Sequence, residues 1–380
     1  MKTKSPLTLG FLLLTSLALT GFYAFSSSLD RIATSRKSPD KQCNLQEPEN
    51  LPNPQVGKDI TEHAVMQALD WFSKNQEPDG LWSIQKHGGQ RGHDNAATAF
   101  ALLSYLGWGA KHTEPGKYQQ NVKDALKWLV EQQAKDGGFT NQKHNGMYDQ
   151  GVVTLALAEA YGATKDKQLK EPLKLAVSFI IEAQNQNHGA WDYRPKSPRI
   201  DSSISAWQLA ALYSARTAGL EIPDRPFELA EKWLDAVGAG RHRGIYGYDK
   251  RQYKTPAMVA AGLYSQQILG VSPDHPRMQE SVKHLSQHMP TIRNRDFYYW
   301  YYATLSLFQH QGPTWSEWNQ EMKPIWSNLQ ETDGPNAGSW APRGGNHMGD
   351  MGRVITTALA TLSLEVYYRH LLIFQPKPIQ

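Results

Sequence analysis

The sequence predicts an all-α protein, a closed (α/α)6 toroid in which six helical hairpins build an inner and an outer ring. Three observations carry that prediction. A unit of amphipathic helix, Gln, polar turn and Gly-x-aromatic recurs in ALDWFSKNQEPDGLW (68–82), ALKWLVEQQAKDGGF (125–139) and AVSFIIEAQNQNHGAW (176–191). Each unit is followed by a second helix that is apolar nearly all round, as a buried helix must be. Neither terminal pair carries the polar outer face with which an open superhelix caps itself, so the two ends of the domain are expected to meet.

Taken in order, the chain begins with Lys2 and Lys4 ahead of an apolar run from Leu7 to Phe25. Residues 1–25 therefore read as a signal peptide or signal anchor. Residues 26–58 are Ser, Pro, Asn and charge without an apolar period, the composition of a disordered tether. An exported protein is expected, periplasmic or extracytoplasmic, either released or held at the inner membrane by residues 7–25. The toroid is expected over 59–372, with 373–380 as a short tail.

Within the toroid the Gly-x-aromatic pairs are Gly80/Trp82, Gly137/Phe139, Gly189/Trp191, Gly244/Tyr246 and Gly338/Trp340, with aromatics 57, 52, 55 and 94 residues apart. The last gap spans two periods, so one repeat has lost its signature, near MQESVKHLSQHMP (278–290). Inner helices are expected over 95–106, 151–161, 202–215, 255–269, 297–308 and 352–368. Their Ala, Gly, Ser and Thr permit close helix–helix approach. The fifth contains six consecutive aromatics, Phe297 to Tyr302. Such a run is tolerable only where every helix face is covered.

A net charge of +4 on 380 residues leaves no nucleic-acid footprint. The single cysteine, Cys43, excludes an internal disulfide and a Cys-ligated zinc.

The helix–Gln–turn–Gly-x-Trp unit resembles the QW-type repeats of squalene–hopene and oxidosqualene cyclases. It is also similar to the β subunit of protein prenyltransferases, which shares the toroid. The resemblance covers about residues 60–370. The segments YYWYYATL, WNQEM, GSWAP and LEVYYRHL look still closer to bacterial exported proteins with prenyltransferase/squalene oxidase repeats. It implies a terpenoid cyclase/prenyltransferase-like fold and a central aromatic-lined cavity for an isoprenoid or similar apolar ligand. Trp207, Tyr298, Tyr299, Trp300, Tyr301 and Tyr302 are the lining candidates.

The catalytic motifs of these families are not reproduced. Where cyclases carry Asp-x-Asp-Asp, this chain reads DSSISAWQ: Asp201 matches the first Asp, but Ser203 and Ile204 occupy the next two. Serine is too weak an acid to protonate an alkene. The zinc-binding segments of prenyltransferases resemble DGCYSFWQ and RDFYHTCY. The corresponding stretches here are DSSISAWQ and RDFYYWYY, with Ser203 for Cys and Tyr299 for His. No cofactor is firmly predicted.

Five aspartates, Asp94, Asp149, Asp201, Asp296 and Asp350, stand near the starts of inner helices. They read as N-caps, or as cation ligands or acids at the mouth of the ring, with Asp201, Asp296 and Asp350 as the catalytic candidates. The Gly-rich loops KHGGQRGHDN (86–95) and PRGGNHMGDMGR (342–353) face each other if the ring closes. His87, Arg91, His93, Asp94, Arg343, His347, Asp350 and Arg353 could then form an anion or metal site, or a seam of salt bridges. His144, Asp149, Arg241, His242 and Arg243 extend the same rim.

The leading expectation is thus an isoprenoid-binding or isoprenoid-processing toroid. The alternative is a non-catalytic exported binding or scaffold toroid for peptide, glycan or lipid. A glycan hydrolase or lyase is a third reading, which needs two suitably spaced carboxylates. A deep dry tunnel favours lipid, a shallow wet bowl with aromatics favours glycan or peptide, and a plugged centre favours a scaffold.

Overall fold

The computed structural model describes residues 58–139, 146–344, 348–368 and 370–374. The leader, the tether up to residue 57, Cys43, His144 and His347 fall outside them. The outer helices are α1 (Lys58–Asn75), α3 (Gln119–Glu131), α5 (Lys167–Ala183), α7 (Arg225–Val237), α9 (Pro276–Ser286) and α11 (Pro313–Leu329). The inner helices are α2 (Asp94–Gly107), α4 (Gly146–Thr164), α6 (Ser202–Thr217), α8 (Pro256–Ile268), α10 (Phe297–His310) and α12 (Met348–Glu365). Successive inner helices pack side by side, α12 packs back on α2, and α11 packs on α1, so the double ring is closed. Among the described residues the only sheet is a hairpin of β1 (Gly238–Ala239) and β2 (Ile245–Tyr246). No helix among them is long and apolar enough to cross a membrane.

The recurring Gln and Gly close the ring by a repeated stitch. The amide nitrogens of Gln76, Gln133, Gln184 and Gln330 each donate to the carbonyl of the following repeat glycine (2.8, 3.3, 2.9 and 2.9 Å). Each also donates to a carbonyl on the next outer helix, those of Asn121, Pro172, Pro226 and Ala64 (3.0, 2.8, 3.0 and 2.8 Å). The last of these joins α11 to α1 across the seam. The glycine is required on two counts. Gly189 has φ +71°, and a Cβ there would lie 1.7 Å from the carbonyl oxygen of Leu229 on α7. The aromatic then turns inward: the indole N–H groups of Trp82, Trp191 and Trp340 donate to carbonyls at the end of their own outer helix (2.8, 2.8 and 2.9 Å).

The expected inner helices are all present, with two shifts. α4 starts at Gly146, before the expected residue 151, and α12 is interrupted at Gly352 (φ 67°, ψ 176°). The repeat without a signature is α9, as expected near 278–290.

Inner helices all run the same way, so their N-termini share one end of the ring. The opposite end is stopped by the chain's C-terminal segment, where Leu371, Ile373 and Phe374 are buried. The Glu159 carboxylate on α4 accepts from the backbone N–H of Leu372 (2.6 Å) and Ile373 (3.1 Å) and from Ser214 Oγ (2.8 Å). Residues 373 and 374, expected to begin a tail, therefore belong to the fold.

Candidate functional site at the N-terminal end of the inner ring

The six-aromatic run divides among the faces of α10 as a 100° step per residue requires. Tyr298, Tyr301 and Tyr302 point to the middle of the ring. There Trp207 of α6 stacks on Tyr301 (5.6 Å between centroids, 13° between planes) and lies 5.3 Å from Tyr302. Phe100 of α2 meets Trp207 edge-on at 5.3 Å. Helices α2, α6 and α10 alternate around the ring, so these contacts run across its axis. The residues expected to line an open cavity fill the middle instead, and Trp207, Tyr301 and Tyr302 are each 1% exposed. Two of the lining candidates are not central at all. Trp300 packs on Trp326 of α11 (5.2 Å), and Tyr299 packs on Trp318 of the same outer helix while its hydroxyl donates to the His288 carbonyl (2.6 Å).

Above this plug, at the end where the inner helices begin, lies a cluster of phenols around Asp201. Asp201 caps α6: its Oδ1 accepts from Ile204 N–H (3.0 Å) and from Ser203 Oγ (2.6 Å). Ser203 Oγ in turn accepts from the Tyr148 hydroxyl (3.0 Å). Asp201 is fully buried, and its Oδ2 makes no well-formed hydrogen bond although the Tyr193 and Tyr248 hydroxyls are close enough to act on the carboxyl. Burial holds this carboxyl above the usual carboxylate range, against the pull of Ser203, Tyr248 and Ile204, with nearby Asp192 pushing it further up. Tyr193 and Tyr248 close the cluster with hydroxyls 2.7 Å apart, and burial together with Asp201 raises both phenols. Tyr148, Tyr193 and Tyr248 are half-buried around the buried Asp201, Ser203 and Tyr298, and this part-exposed phenol cluster is termed the bowl.

The other candidate acids have different surroundings. Asp296 caps α10 through Tyr299 N–H (2.9 Å). Asp350 is exposed, and its backbone carbonyl accepts from Gln90 N–H (2.7 Å). Asp149 is buried, and its Oδ2 lies 2.8 Å from His93 Nδ1. Burial raises the carboxyl, and the hydrogen bond to that carboxyl raises His93.

Loops one and six do meet at the seam, where Arg353 N–H donates to the His87 carbonyl (2.8 Å). Among the described residues, however, their side chains do not converge on one point. Asp94 accepts from Ile84 N–H (2.8 Å), and Arg353 is held by Glu331 (2.9 Å) and Ser339 (2.9 Å). Arg343 is exposed. Among the described residues no group of three or more His, Cys, Asp and Glu is arranged to hold a metal ion.

No protein-family profile and no curated protein matches this sequence. Solved structures do match in fold. The α-1,6-mannanase GH76A of Salegentibacter sp. HEL1_6 superposes with a TM-score of 0.59 at 13% identity, covering 81% of this chain and 98% of that one. Cellobiose 2-epimerase from Bacillus thermoamylovorans B4167 gives 0.59 at 11% identity, covering 81% and 98%. A type II terpene cyclase variant from Scytonema, in complex with geranylgeranyl dihydroxybenzoate, gives 0.53 at 14% identity, covering 82% and 98%. The chain therefore has an α/α toroid fold, one that these three structures share.

Three residues of the bowl wall escaped the sequence reading, although the repeat carried a signal for two of them. Tyr193 and Tyr248 each stand two positions after the repeat aromatic, in WDY (191–193) and YGY (246–248). Tyr148 lies in the segment that extends α4 before its expected start and has no such marker.

Proposed function

We propose that this toroid binds a saccharide in the bowl formed by Tyr148, Tyr193, Tyr248 and Asp201. The observation that carries the reading is the Phe100–Trp207–Tyr301/Tyr302 plug. It occupies the space an isoprenoid chain would need, and leaves a polar end where phenol hydroxyls gather beside a buried carboxyl. Phenol faces offer apolar stacking area for a sugar ring, while their hydroxyls and Asp201 Oδ2 offer hydrogen bonds to its OH groups. A mannanase and a cellobiose epimerase among the structural neighbours act on sugars with the same scaffold, which supports the reading by analogy of fold. With the apolar leader at residues 7–25, the bowl would work outside the cytoplasm.

The test is calorimetric titration with an oligosaccharide panel, including α-1,6-mannotriose and cellobiose, on the wild type and on Asp201→Asn and Tyr248→Phe. Asn retains the cap of α6, so the fold survives. Saturable binding weakened by both substitutions is expected. Absence of binding to every saccharide, together with an isoprenoid recovered from the purified protein, would overturn the reading and restore the cyclase-like one.

A further inference from the structure

Three consecutive loops at the bowl end, residues 184–201, 238–255 and 287–296, contain ten Lys and Arg against four Asp. Their net charge exceeds that of the whole chain, which is +4. The two signs are also segregated in space. Asp192 and Asp201 are buried, Asp249 has a buried Oδ1, and Asp296 caps α10. Most of the cations face solvent, although Arg199 lies 4.0 Å from Asp192 and Arg295 is half-buried. In the middle loop Arg241, Arg243, Lys250, Arg251 and Lys254 are all exposed, and none makes an ion pair among the described residues. The acid that could neutralise them is already engaged: Glu280 on α9 accepts from the backbone N–H groups of Arg241 (2.7 Å), His242 (2.9 Å) and Gly244 (2.8 Å). It thereby holds the hairpin without consuming its side-chain charge.

Two further observations mark this sector as built for contact. Tyr253 is 71% exposed, the largest exposure of any big apolar residue in the described fold, and sits between cations at φ 54°. A bulky residue at positive φ is a genuine backbone outlier, and such strain gathers at functional sites. Arg243 (φ 60°) and Lys196 (φ 57°) share the feature. The loops are also continuous with the bowl and with one another. Tyr248 joins the Asp201 cluster two residues before Lys250. Burial, His288 and Lys254 together hold His284, beside the third loop, below the usual imidazole range, and Gly344 packs on Arg295.

We propose that this sector is a cationic landing surface, with Tyr253 as a stacking platform, for a polyanionic polysaccharide whose end enters the bowl. The inference rests on the saccharide reading and adds to it the charge class of the ligand. The exposed Arg and Lys of the middle loop, which make no ion pair among the described residues, lose little solvation on meeting carboxylate, sulfate or phosphate groups, and Arg can grip them through two N–H donors at once.

The experiment is biolayer interferometry on the full chain with three glycan probes: heparin, polygalacturonate and neutral dextran, at several salt concentrations. Vesicles containing phosphatidylglycerol serve as a fourth probe. Binding to a polyanionic glycan that falls steeply with salt is expected, weakened about tenfold or more by Arg241→Glu with Arg251→Glu, and further by Tyr253→Ala. The exposed Lys167→Glu/Lys170→Glu pair on α5 should leave it unchanged. Neutral saccharides binding alone, without salt dependence, would sink the landing surface and leave the bowl intact. Equal loss in the α5 control, or binding to the vesicles only, would overturn the proposal as well. Loss on Asp201→Asn of neutral and acidic binding alike reports on the bowl and not on the rim.

Discussion

Replacing Glu159 by Gln isolates the electrostatic cost of closing the far end of the ring. The Glu159 carboxyl is enclosed by α4, α6 and the C-terminal segment. Burial pushes its pKa from 4.5 up to about 7, in spite of hydrogen bonds from Leu372, Ser214 and Ile373 that pull it down. The folded state therefore holds this proton more tightly than the unfolded chain does. Its stabilising contribution is fully present below pH 4.5 and is lost as the pH rises to about 7. At about 1.4 kcal/mol per pH unit, a rise of two to three units amounts to roughly 3 kcal/mol. For roughly 300 ordered residues, with an unfolding entropy of about 2 cal/mol/K each, that is a Tm difference of about 5 °C. The assay is thermal unfolding followed by circular dichroism from pH 4.5 to 8.5 for wild type and Glu159→Gln. Wild-type Tm should fall relative to the variant by about that amount across the window. Glu365, Asp149 and Asp201 also have raised carboxyls, but both proteins share them and they cancel in the difference. Parallel Tm curves, or a difference that widens in the other direction, would refute the reasoning.

Trp207→Ala should remove the centre of the aromatic plug and cost about 3–5 kcal/mol in urea unfolding; because it opens the axis of the ring, it should also create uptake of a small apolar dye. Gln330→Ala deletes both hydrogen bonds of the closing stitch and leaves the Ala64 carbonyl short of a partner, for a loss of about 1–3 kcal/mol by the same measurement. Gly189→Ala should be worse than an ordinary glycine replacement, by about 2 kcal/mol or more, since strain at positive φ adds to a clash with the Leu229 carbonyl. A Gly189→Ala variant that expresses and unfolds at the wild-type urea concentration would contradict the packing described for the repeat turn.

Much of the architecture was legible because the repeat is chemically specific. Gln, a short turn of varying length, then Gly and an aromatic two positions on satisfy three separate constraints of one turn: a bidentate amide stitch, a close backbone approach and a buried ring. Closure was legible too, and with it the meeting of loops one and six. What each side chain does there was not, because competition among partners is settled in space. Arg353 is taken by Glu331 and Ser339 rather than held ready for a ligand. The aromatic run shows the same limit. Helical period separates Tyr298, Tyr301 and Tyr302 from Tyr299 and Trp300, but only the diameter of the ring decides whether the first group lines a chamber or fills it. Asp201 stood out by its place at the head of α6, whereas Tyr193 lies earlier in its loop, Tyr148 and Tyr248 come from other segments, and Tyr148 carries no mark of the repeat.

The stitch from Gln330 to Ala64 spans 266 positions of sequence. As the chain is synthesised, the first helix must wait for nearly the whole domain before it meets its final neighbour. Such late, distant pairing is slow to find and leaves apolar surface uncovered meanwhile. Translation thus delivers five hairpins with two raw edges, and only the sixth turns a strip into a hoop. A polypeptide that crosses a membrane unfolded would defer that last step until it reached the other side.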